Sequence, residues 1–118
     1  MKESMVAGRA FRFSIEVIKL TKLLPKNFEN LIIMKQVIRS ATSIGANIEE
    51  ALGTNTKKDF AYCMNVAKKE ARETSYWLRL LKELNGVINV QLTLLLDENH
   101  EIINMLTKIV KTSTITYK

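Results

Sequence analysis

Backbone breakers are nearly absent from this chain of 118 residues. One proline and four glycines are too few to punctuate a many-stranded sheet. Cysteine is as scarce. Cys63 stands alone, so no internal disulfide can form, which suits a reducing cytoplasm, and its thiol is expected as a small buried hydrophobe. The one histidine, His100, belongs to no ligand pattern beyond Asp97-x-x-His100, which is half of the carboxylate–histidine device that bundles use for metals. It is read as a solvated residue. With the lone thiol and the lone imidazole far apart in sequence, no motif supports a nucleophilic pair, and neither a Walker loop nor a GxGxxG is present. The longest plain apolar run, Leu94-Leu95-Leu96, is far too short to span a membrane. Arg9 and Arg12 break up "MKESMVAGRAFRF", where a signal peptide would need an unbroken apolar core. These absences lead us to expect a cytoplasmic, non-enzymatic protein with no metal, cofactor or membrane.

What the chain does have is a helical period. Phe13, Val17, Leu20 and Leu24 follow a 4-3-4 spacing that must stop at Pro25. Met34, Ile38, Ala41, Gly45, Ile48 and Leu52 form a second seam, capped by Gly53. Thr56, followed three residues later by Asp59, resembles a capping box that opens the third. That seam runs through Phe60, Met64, Ala67, Ala71, Thr74, Leu78 and Leu81 to the breaker Asn85-Gly86. The fourth repeats it with Ile88, Leu92, Leu95, Asn99, Ile102, Leu106 and Ile109, where Asn99 is read as a register-setting polar residue. A seam that repeats every 3.5 residues on average belongs to left-handed bundles, and short links favour antiparallel neighbours. The sequence therefore predicts one all-α domain over residues 1–118, an antiparallel, up-down-up-down, left-handed four-helix bundle. Its helices should lie at about 6–24, 29–52, 57–84 and 88–112, with "TSTITYK" as a frayed tail.

Two surfaces stand out. In "RSATSIGANIEEALG", projected at about 100° per residue, Met34, Ala41, Ile48 and Leu52 face the core, while Ala41 and Gly45 permit close helix approach. Ile33, Ile44 and Ala51 widen the apolar stripe. Ser43, Asn47 and Glu50 lie at i, i+4, i+7 on the far side or its flank, and Ser40, Thr42 and Ala46 are short as well. A face with so few long charged side chains is either a weakly charged exposed surface or a contact between copies, where short side chains lose little entropy on burial. Trp77, near Glu70 and Glu73 and flanking the core, is expected at the same interface.

The second surface is on helix 3. Lys68, Arg72, Arg79 and Lys82 fall within an arc of about 80°, with Ser75 between them and Lys69 and Tyr76 alongside, roughly opposite the core seam. Cations at near one-turn spacing can follow a phosphate backbone without reading bases, and Tyr76 is placed to stack on an unpaired base. The net charge of +6 permits such a partner without requiring it. The alternative is a solvated face helped by pairs such as Lys69 with Glu73.

The blocks "IRSATSIGANIEEALGTNTKKDF" and "AKKEARETSYWLRLLKELN", together with the "LPKN" turn, resemble in order and spacing the signature of a bacterial four-helix-bundle family known from intervening sequences of 23S rRNA genes. Ser43, Asn47, Ile48 and Glu50 match the first block, and Glu70, Glu73, Tyr76, Trp77 and Leu78 match the second. The resemblance implies a ring-like homopentamer and gives these positions structural or assembly roles, not catalytic ones. The accessory variability protein of diversity-generating retroelements is a more distant likeness, and it adds nucleic acid and a reverse-transcriptase-like protein as partners by analogy. The expected function is thus a homo-oligomeric bundle. Ser43, Ala46, Asn47, Glu50, Glu73 and Trp77 would lie at its interface, and Lys68, Lys69, Arg72, Arg79 and Lys82 on RNA. The alternative is a protein-interaction scaffold that binds no nucleic acid.

Overall fold

A computed structural model describes residues 2–115. Four helices account for nearly all of them: α1 (Lys2–Thr21), α2 (Phe28–Leu52), α3 (Lys57–Leu84) and α4 (Asn89–Ile115), with a single 3-10 turn at Gly86–Ile88. Each helix packs on the next, and α1 closes against α4, giving an antiparallel all-α four-helix bundle about 49 Å long.

Local chemistry explains where the helices begin and end. The Asn27 side chain accepts the Asn30 N–H at 2.9 Å, and the Thr56 hydroxyl oxygen accepts the Asp59 N–H at 3.1 Å, so α2 and α3 each start on a side-chain cap. Helix α1 stops at Thr21, earlier than its apolar spacing suggests. Over Lys22–Leu24 the N–H groups turn to carbonyls three residues back, because the residue before Pro25 is driven out of the α region. Leu24 is buried all the same. At the other end of the chain α4 continues past 112 to Ile115. Ser113 and Thr114 donate their hydroxyls to the carbonyls of Ile109 and Val110, four residues back within the helix. Of the expected frayed tail, Thr112–Ile115 is helical and 116–118 lie outside the described residues.

The seams of α1, α3 and α4 are buried as the heptads require, with Phe60 half-covered at the end of the row. Helix α2 differs from its expected projection. Ile44 and Ser40 are fully buried, whereas Leu52 is 44% exposed. Its contact with α3 extends past the apolar seam to Ser40, whose hydroxyl is met by that of Thr74, so its buried face is wider than one seam.

Polar groups tie the elements in register. The amides of Asn30 and Asn85 bond each other reciprocally at 2.9 Å, and each reaches a carbonyl as well, Pro25 and Leu81 respectively. The Ser40 and Thr74 hydroxyls meet at 2.8 Å between α2 and α3. Asn99 donates from α4 to the Ala71 carbonyl and to Ser75 Oγ of α3, both at 2.7 Å, while its own buried carbonyl oxygen has no partner.

Candidate nucleic-acid interface and assembly face

Ser75 shows where the basic stripe lies. It sits within the row of cations and accepts the Asn99 amide, so the row lies over the α3–α4 seam, about a quarter turn from the core rather than opposite it. Lys68 and Lys82 are accordingly half-buried, while Lys69, Arg72 and Arg79 are exposed. None of the five forms an ion pair among the described residues. The ion pairs among the described residues are Arg9–Glu98, Lys19–Glu16 and those of Arg39 with Glu70 and Glu73. The Lys69–Glu73 pair of the alternative, solvated-face reading does not form, because Glu73 is held by Arg39 from α2 and by the Trp77 indole N–H at 2.9 Å. Tyr76 is 52% exposed and meets Trp77 edge-on, with centroids 5.1 Å apart. Beside it Arg79, Lys82 and Glu83 line a cleft of about 290 Å³ that reaches Leu96 of α4. Sequence reasoning on α3 alone missed α4. The Asn99 bond fixes the face of α4 next to the stripe, and projection puts the exposed His100, Asn104 and Lys111 on that face.

The proposed assembly residues lie on the other side of α3. Ser43 and Asn47 are half-buried along α2, and the Asn47 amide donates to the Ser43 carbonyl at 2.8 Å. Ala46 and Glu50 are exposed. Glu73 and Trp77 face them from α3, bridged by Arg39, which also reaches Glu70 at 3.4 Å. The polar groups of this face are largely satisfied within the chain, so covering it strands few of them. Arg39, the first residue of the small-residue stretch, is its organising charge. No signal in α2 alone marks it, because its partners come from a helix about thirty residues away. Ser40 belongs to the core and not to this surface, and exposed Phe11, Ile15, Ile18 and Leu31 form an apolar strip that the heptad reading passed over.

A further ion pair joins α1 to α4. Arg9 forks onto both oxygens of Glu98 at 2.8 and 2.9 Å, and that hydrogen bond raises the guanidinium above its ordinary pKa against a smaller opposing effect of burial. Cys63 is only half-covered, more open than expected, and His100 is exposed on α4. No group of three His, Cys, Asp or Glu able to hold a metal occurs among the described residues, and no described helix is long and apolar enough to cross a membrane.

The family model of the 23S rRNA-intervening sequence protein matches residues 2–108, which takes in α1, α2, α3 and most of α4. The chain belongs to this family. A solved relative of the 23S rRNA-intervening sequence proteins supports the architecture. It is the crystal structure of a protein of unknown function from the S23 ribosomal protein family of Bacteroides thetaiotaomicron, 36% identical to this chain. The match covers 94% of this chain and 99% of that one, with a TM-score of 0.86. No curated protein matches the chain. Within the family fold, then, the two surfaces above are set by side chains that the bundle positions on opposite flanks of α3.

Proposed function

We propose that this intervening-sequence protein is a non-enzymatic homo-oligomer, a ring of five copies, that holds RNA through the basic face over its α3–α4 seam. The observation that carries this reading is the row Lys68, Lys69, Arg72, Arg79 and Lys82, which forms no ion pair among the described residues, in a molecule whose α2–α3 face ties Glu70 and Glu73 to Arg39. Free cations at helical spacing release counterions from a phosphate backbone and do not depend on base identity. One such face binds weakly, and several on one assembly multiply the contact. The family's connection with 23S rRNA favours RNA as the phosphate source.

Fluorescence anisotropy with a labelled RNA hairpin, at about 50 mM salt where such contacts are strong, tests the reading. The parent should bind, and the double variant Arg72→Glu/Arg79→Glu should bind far more weakly with its helicity and assembly unchanged. A parent that does not bind under these conditions leaves the scaffold reading, in which the basic row meets an acidic protein.

A further inference from the structure

Hydrogen bonds fix which way each helix face looks. On α1, Arg9 reaches α4 and Ser14 reaches the Ala41 carbonyl of α2. Phe11, Ile15 and Ile18 lie outward of Ser14, on the α2 side of the bundle. Leu31 and Lys35 continue that surface on α2, because Ser40 turns the opposite flank of α2 toward α3. Phe11 is 67% exposed, Leu31 43%, and Ile15 and Ile18 38% each. Exposed apolar side chains gathered on one face are what marks a contact surface on a folded protein. Its exposed cations Lys22 and Lys35 form no ion pair among the described residues, Lys19 touches Glu16 only at 4.0 Å, and the exposed Glu49 lies in line with Leu31 five turns along α2, away from both lysines.

About a quarter turn around the bundle lies the face of Ser43, Asn47 and Glu50 with Glu70, Glu73 and Trp77. It is small, half-polar and acidic, with three carboxylates set against Arg39 alone. We infer that these two faces are the two halves of one head-to-tail contact, the α1–α2 face of one copy docking on the α2–α3 face of a second copy. The inference rests on the assembly reading above and adds which surfaces meet. Charge supports it. Joining unlike faces sets Lys22 and Lys35 against the glutamates, whereas joining like faces would set lysine against lysine. Shape supports it too, because short side chains at Ser43 and Asn47 leave room for the projecting Phe11. So does direction. Two different faces make a heterologous contact, and faces that look out roughly a quarter turn apart close it into a small ring of about four or five.

Native mass spectrometry at low micromolar protein tests this with one variant for each face, Phe11→Asp and Asn47→Arg. Each should be monomeric with helical circular dichroism intact. Mixed together, they should form a 1:1 heterodimer through the one undamaged face on each chain and go no further. If Phe11→Asp costs helicity, Lys22→Glu/Lys35→Glu takes its place with the same expectation. A parent that assembles while the Phe11 or lysine variant assembles equally well overturns the inference and leaves the assembly reading standing. Two monomeric variants that stay monomeric when mixed overturn it as well. A parent that is itself monomeric overturns both.

Discussion

Single side chains separate cleanly into those that hold the bundle and those that face outward. Asn30 and Asn85 satisfy each other inside the protein, so Asn30→Leu strands a buried amide and should cost about 1–3 kcal/mol in urea unfolding. Asn99 is different. Its carbonyl oxygen is already unpartnered, and the Ala71 carbonyl that it serves lies within a continuous helix. Asn99→Leu should therefore cost less than Asn30→Leu, within about 1.5 kcal/mol of the parent, while loosening the register between α3 and α4. Equal losses for the two variants would mean that Asn99 is held by more than the two bonds seen. At Thr56, loss of the cap in Thr56→Ala should lower stability by about 1 kcal/mol on the same assay.

At the scale of elements, all four helices were legible from apolar spacing, and in α1, α3 and α4 the buried row was legible too. In α2 the face was not: Leu52 is exposed and Ser40 is buried. A single-seam projection assigns Ser40 to the surface, and its hydroxyl is admitted to the interior because Thr74 on α3 answers it. The basic stripe was legible as a set of residues but not in its direction. Spacing alone cannot say which flank of α3 meets α4, and the Asn99–Ser75 bond decides that. Gly45 shows the same gap. Its spacing reads as a close-approach glycine, and a methyl group there would sit 3.7 Å from the Ala10 side chain, an ordinary contact. Gly45→Ala should thus raise the melting temperature, since alanine gains up to about 1 kcal/mol in a helix interior. A lower melting temperature would show that α1 and α2 have no slack at this point.

For the whole molecule, the proposed function requires that the cations over the α3–α4 seam act as a binding site when several copies present them together. The candidate residues were legible because lysine and arginine spacing survives projection. The apolar strip led by Phe11 was not, since exposed hydrophobes break no helical pattern. The most direct test is the salt dependence of affinity for one RNA long enough to span several copies, measured for the parent and for the monomeric Asn47→Arg variant. The parent's affinity should fall log-linearly with salt, at about 0.7 to 0.9 in slope per phosphate neutralised, and more steeply than that of the monomer because more faces are engaged. Equal slopes, or no binding by the parent at about 50 mM salt, would contradict the claim.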